Sequence, residues 1–263
     1  MYAFTYERPA SLGQALSLLA AGGQAFAGGQ TLLASMKQRL LSPEQLVDLS
    51  ALSELQGIRQ SGDSWMVGAF TRHQEVAEHA GLRAALPGLA ALAAGIGDRQ
   101  VRAMGTLGGS VANNDPAACY PSAVLALGAT VHTDRRQIAA DDFFQGMYTT
   151  ALEPGEVITA IAFPKALRSA YAKFKQPASR FALAGVFVAQ TAAGVRVAVT
   201  GAGNGVFRHA GLEAALSKSF TPEAVAGVVI DASELNADLH ASADYRAHLI
   251  KVQTQRAVQQ ALA

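Results

Sequence analysis

"GTLGGSVANNDPAACYP", residues 105–121, packs three glycines, two asparagines, an aspartate, two prolines and the chain's only cysteine into one short run. Such a run reads as a loop held open, because glycine lacks the Cβ that would keep a ligand away from the backbone. A second run, "FAGGQTLL" at 26–33, leaves a strand through Gly28 and Gly29 and enters a helix start. Backbone N–H groups at such a place can meet an anion, and the first turn of a helix adds partial positive charge. In the first run Gly108 and Gly109 offer the same close approach, between the hydroxyls of Thr106 and Ser110. Two glycine loops with hydroxyl or amide neighbours and no lysine match a diphosphate held by backbone donors. By themselves they leave two readings open, a nucleotide-cofactor site and a pair of ordinary turns.

Competing motifs fail on inspection. A phosphate P-loop needs a Gly-Lys pair, and the chain has none. The segment 108–112 lacks the G-x-S-x-G frame of a nucleophile elbow. "RVAVTGAGNGV" (196–206) imitates a dinucleotide fingerprint, but Val206 sits where the third glycine belongs, so it reads as a turn. The six histidines show no metal-ligand spacing; His73 and His79 fall on a predicted amphipathic helix as solvated positions. "TDRR" at 133–136 reads as a charged turn.

Bulk properties narrow the class. The chain has 263 residues, 50% apolar and 16% charged, as a globular protein does. A net charge of +1 leaves no electrostatic footprint for nucleic acid. No apolar run is long enough to cross a membrane, and "MYAFTYERPA" has neither a basic leader nor an apolar core, so cytoplasmic residence is expected. One cysteine excludes an internal disulfide, a Cys-ligated iron–sulfur cluster and a structural zinc site within the chain.

Read for periodicity, residues 1–55 alternate strand and helix, as a small α/β unit does. Ser11 with Gln14 caps one helix, and Ser42, Pro43 and Gln45 predict another over "SPEQLVDLS". Residues 56–168 form a second unit. It has two strands around "SGDS", a helix capped by Thr71 and Gln74, a buried helix in "LPGLAALAAGIG" and a strand-rich end. Residues 169–263 read as an α+β module: antiparallel strands through "FALAGVFVAQTAAGVRVAVTGAG", a helix at "TPEAVAGVV" and a long last helix from about Ser242.

Taken in order, "AGGQTLL", "IGDRQVRAMGTLGGSVANNDPAACYP", "FKQPASRFALAGV" and "HASADYRAHLIKVQTQRAV" resemble the FAD-binding medium subunit of molybdenum hydroxylases. That is the family of xanthine dehydrogenase and carbon monoxide dehydrogenase flavoproteins. The resemblance runs through the whole chain. It implies an α+β fold: a two-lobed FAD-binding domain of the vanillyl-alcohol-oxidase type (1–55 and 56–168) plus an α+β C-terminal domain (169–263). It also implies FAD in this chain and two partners, a large molybdopterin subunit and a small subunit with [2Fe-2S] clusters, with a dimer of heterotrimers as one possible assembly. The flavin would pass electrons from those clusters to an external acceptor.

Position by position, Ala27, Gly28, Gly29, Gln30, Thr31, Leu32 and Leu33 would line the pyrophosphate, as would Thr106, Leu107, Gly108, Gly109 and Ser110. Ile96, Gly97 and Ile158 match other cofactor-lining positions. Lys175, in "FKQ", matches a lysine near the flavin ring, where a cation would stabilise the negative charge of the reduced state. Cys119 departs from the pattern, since many relatives carry aspartate there; a thiol is a weaker partner than a carboxylate, and Asp115 is the nearby alternative. Two other functions compete: a self-contained FAD-dependent oxidase and a flavin-free assembly scaffold.

Overall fold

In the computed structural model, which describes residues 1–263, the chain begins with a small parallel sheet. Its strands are β1 (Thr5–Glu7), β2 (Gln24–Phe26) and β3 (Gln45–Asp48), in the order β1-β3-β2. Helix α1 (Leu12–Ala20) joins β1 to β2, and α2 (Leu32–Lys37) follows β2. Ser11 caps α1 by accepting from the Gln14 amide at 3.3 Å, and the Gln14 side chain accepts from the Ala10 amide at 3.0 Å. Ala15 and Leu19 of this helix pack into a cluster with Val47 and Leu49. The helix expected at "SPEQLVDLS" is instead the central strand β3. Leu46, Val47 and Asp48 are buried in succession between two parallel neighbours, and that three-residue burial overrides the local capping signal.

A five-stranded antiparallel sheet comes next. Strands β4 (Ile58–Ser61) and β5 (Ser64–Gly68) form the hairpin around "SGDS", then come β6 (Thr130–Thr133) and β7 (Gln137–Ala139). After the small hairpin β8 (Phe144–Gly146) and β9 (Thr149–Thr150), strand β10 (Ile158–Pro164) enters the middle, giving the order β4-β5-β10-β6-β7. Between β5 and β6 the chain is helical: α3 (His73–Glu78), α4 (Ala80–Ala85), α5 (Pro87–Ala94), α6 (Arg99–Met104), α7 (Leu107–Asn113) and α8 (Tyr120–Ala126), with α9 (Ala140–Phe143) after β7. Arg72 occupies the N-cap of α3, one residue later than the expected Thr71, which donates its hydroxyl to the Gly57 carbonyl instead. The quoted run is therefore not an open loop over most of its length. Thr106 caps α7 and the chain turns out of it at Asn114, in the left-handed region with φ 44°.

The C-terminal part carries an antiparallel sheet of β11 (Arg168–Lys175), β12 (Ala182–Thr191), β13 (Gly194–Thr200) and β14 (Phe207–Arg208), in that order. Eight consecutive residues of β12, Ala182–Ala189, are buried, because the sheet is covered on both faces. On one face Phe187, Ala189, Tyr171 and Ala198 join the large core with α5 and α8. On the other, Val186, Val188, Ala170 and Val197 pack against α10 (Ala210–Lys218) and α11 (Ala243–Leu262). Helix α10 was not expected, and "TPEAVAGVV" contributes only a four-residue 3-10 turn, Pro222–Val225.

Candidate functional site

The three sheets leave one large cavity of about 820 Å³, the size of a cofactor-scale pocket. The two glycine runs meet in it. Ala27, Gly28, Gly29, Gln30, Thr31 and Leu32 form one wall, and Thr106, Gly108, Gly109 and Ser110 line it from the start of α7. Ile96, Gly97, Cys119 and Ile158 line it too.

The two runs do different work. The amides of Ala27 through Leu32 have no hydrogen-bond acceptor in the protein, so a row of six donors stands unused at the cavity. At the 106–110 run the amides of Leu107, Gly108, Gly109 and Ser110 are already occupied. Leu107 donates to the Thr71 carbonyl at 3.0 Å, Gly108 to Ala69 at 2.8 Å, and Gly109 to the Thr106 hydroxyl oxygen at 3.2 Å. What remains there for a ligand is the proton of Thr106 Oγ1 and the hydroxyl of Ser110, neither of which is donated elsewhere.

The glycines are explained by close packing and by backbone conformation. A Cβ on Gly28 would collide with the Met104 carbonyl oxygen and come within 2.7 Å of Gly105 Cα. One on Gly108 would sit 2.5 Å from the Ala69 Cβ. Gly29 has φ +68°, a conformation other residues adopt at a cost. Glycine thus lets two backbones touch, and that contact builds the cavity wall.

Three expected residues lie elsewhere. Leu107 is fully buried in the large core, and Leu33 packs beneath Gly29. Lys175 lines a separate small hollow, while Lys173, two residues earlier on the same strand, reaches the cavity. Its Nζ donates to Cys119 Sγ at 3.3 Å and to the Arg180 carbonyl at 3.0 Å. The cysteine that replaces an expected aspartate is therefore a partner of the cavity's lysine. Asp115 also lines the cavity, accepting from the Ala117 amide at 2.8 Å and from the Tyr148 hydroxyl at 3.4 Å.

His73 is a further cavity residue that periodicity misplaced. It is 5% exposed, its Nδ1 has no partner, and its ring lies 5.2 Å from that of Tyr120. Burial, with a smaller push from Arg102, holds its imidazole down to about 4. Glu156 closes another side. Its carboxylate accepts from Arg136, from Thr133 and from the Glu153 amide, and the Arg136 pairing holds it down to about 2. The "TDRR" turn is thus one half of an ion-pair network on the cavity's flank. The alternation Tyr171, Lys173, Lys175 along β11 was the available signal for Lys173; no sequence signal pointed to His73.

A large cavity walled by glycine-permitted backbone contacts and fringed by free amides fits a protein that holds a dinucleotide-type cofactor. Residues 2–166 match the family described as the FAD binding domain in molybdopterin dehydrogenase, and the chain belongs to that family. It is 36% identical to the carbon monoxide dehydrogenase medium chain of Hydrogenophaga pseudoflava, over 99% of this chain and 97% of that one. It is 32% identical to the glyceraldehyde dehydrogenase medium chain of Sulfolobus acidocaldarius, covering 97% and 96%. Among solved structures, reconstituted CO dehydrogenase from Oligotropha carboxidovorans contains a chain that superposes with TM-score 0.91 at 32% identity, over 99% of this chain and 98% of that one.

Proposed function

We propose that this chain is the FAD-carrying subunit of a molybdenum hydroxylase, with the cofactor's pyrophosphate on the amides of residues 27–32. The observation that carries the reading is the row of six unused amides opposite the free hydroxyls of Thr106 and Ser110. A diphosphate is an acceptor-only ligand and complements donors of this kind. The starts of α2 and α7 hold the phosphates, Ile96, Gly97 and Ile158 supply apolar wall, and Lys173 keeps a positive charge at the same cavity. Bound FAD would accept electrons from the iron–sulfur clusters of a small partner subunit and release them to an external acceptor. The Lys173 ammonium favours the more negative, reduced state of a ligand beside it.

Residues 1–55 and 56–168 act in this reading as the two lobes around the cofactor, and 169–263 as the module that brings Lys173 to it. A large molybdopterin subunit completes the complex, which works in the cytoplasm; fractionation of the native host tests that location. FAD binding is tested by titrating the flavin-stripped chain. ADP, which carries the diphosphate, should compete with FAD, and adenosine, which lacks it, should compete far more weakly. Failure of ADP to compete would remove the pyrophosphate assignment. Co-purification of two partners, one containing molybdenum, tests the subunit reading.

A further inference from the structure

Lys173 forms part of a second, smaller hollow of about 240 Å³. Strand β11 contributes Tyr171, Ala172, Lys173 and Lys175, the end of α5 contributes Ala91 and Gly95, and α11 contributes Gln253, Arg256 and Gln260. Strand β11 is an edge strand, paired only with β12.

The chemistry of the lining is one-sided. Lys175 and Arg256 bring two cations, and neither has a carboxylate within 4.0 Å, while Lys173 lines the hollow with its ammonium turned to Cys119 and Arg180 in the larger cavity. Gln253 is 1% exposed, and its Nε2 has no hydrogen-bond partner. A buried amide donor left unsatisfied costs free energy, which a ligand accepting from it would relieve. No acidic side chain lines the hollow. The carbonyl end of α5 offsets little of this charge, since the Gly95 amide is shared between the Ala91 and Leu92 carbonyls and the Ile96 amide donates to that of Ala93.

We propose that this hollow binds a phosphate-type oxyanion, either free or as the terminal phosphate of a nucleotide. At about 30 Å³ per water the volume holds a phosphate with a few waters, and a nucleoside would extend outside. Lys175 and Arg256 supply charge-assisted bonds, and Gln253 supplies the buried donor. Because Lys173 stands in the wall between this hollow and the cofactor cavity, the bound anion sets a negative charge against the lysine that faces the flavin. Phosphate then lowers the flavin's reduction potential, a consequence that rests on the flavin reading, whereas binding itself does not.

The test uses the flavin-loaded full chain at constant ionic strength, with inorganic phosphate exchanged for chloride. Binding is followed by phosphorus NMR line broadening and by the thermal midpoint. The wild type should show saturable binding, and the double variant Lys175→Gln/Arg256→Gln should bind at least tenfold more weakly at unchanged flavin content. Adenosine monophosphate in place of phosphate separates the two sources: tighter binding points to a nucleotide, equal or weaker binding to free phosphate. No phosphate-specific binding in the wild type, or equal binding in the double variant, overturns the proposal. If the chain carried no flavin, phosphate on the empty 27–32 loop would survive the double substitution, so the two readings fail separately.

Discussion

Acid should strip stability from this protein through His73, and the size of the effect follows from its burial. The imidazole is 5% exposed with an unpartnered Nδ1, and its pKa falls from 6.5 to about 4. Above the unfolded value the ring is neutral in both states and contributes nothing to the pH dependence. As pH falls below 6.5 the unfolded chain takes a proton that the folded chain refuses, so stability declines. The loss grows by about 1.4 kcal/mol per pH unit, reaching about 2 kcal/mol near pH 5 and about 3 kcal/mol near pH 4. The perturbation is His73→Gln, which removes the titration and keeps a polar side chain of similar reach. The assay is denaturant unfolding followed by the fluorescence of Trp65, the sole tryptophan, which lies on β5 in the same core as α3. Wild type and variant are compared at about pH 7.5, 6.5, 5.5 and 5, and the difference between them should shrink by about 2 kcal/mol over that range. His132 and His209 also have lowered values, but they are common to both proteins and cancel. If both proteins lost stability equally on acidification, within about 0.5 kcal/mol, His73 would be free to protonate in the fold and the buried geometry would be refuted.

Gly28→Ala should lower FAD content and cost about 1–3 kcal/mol, because its Cβ meets the Met104–Gly105 backbone; Gly13→Ala, on open space in α1, should be neutral or stabilise by up to about 1 kcal/mol, and equal midpoints for the two would sink the packing argument. Thr106→Val should weaken FAD binding and cost about 0.5–2 kcal/mol through the lost α7 cap, read by flavin titration and chemical unfolding. Glu156→Gln should destabilise by about 1.5–3 kcal/mol at neutral pH. Since its pKa is depressed from 4.5 to about 2, that contribution is complete above 4.5 and lost as pH falls toward 2, so the wild type and variant curves should converge in acid. Cys119→Ser should keep the fold and the flavin, at a cost within about 0.5–3 kcal/mol; loss of flavin from a folded variant would assign the thiol a role in holding the cofactor.

Local chemistry made part of this protein legible from its residues. The capped start of α1, the hairpin around "SGDS", the buried helix ending at Gly95 and the long last helix from Ser242 each depend on interactions within a few residues. The two glycine runs were visible for the same reason, and their motif order carried the family. Which run supplies amides and which supplies hydroxyls was not visible, because it depends on Thr71 and Ala69 occupying the donors of α7 from a distant part of the chain. Residues 45–48 carry a helix-start signal and become a strand because β1 and β2 flank them. His73 sits on a helix whose charged neighbours look solvated, and only the packing of α3 against α5 and α6 buries it at the cavity. Along β11 the sequence offers two lysines on one face, and tertiary structure alone separates them. The strand runs past the cavity rim between Lys173 and Lys175, with a register shift at Phe174/Lys175, leaving the first at the large cavity and the second beside α11.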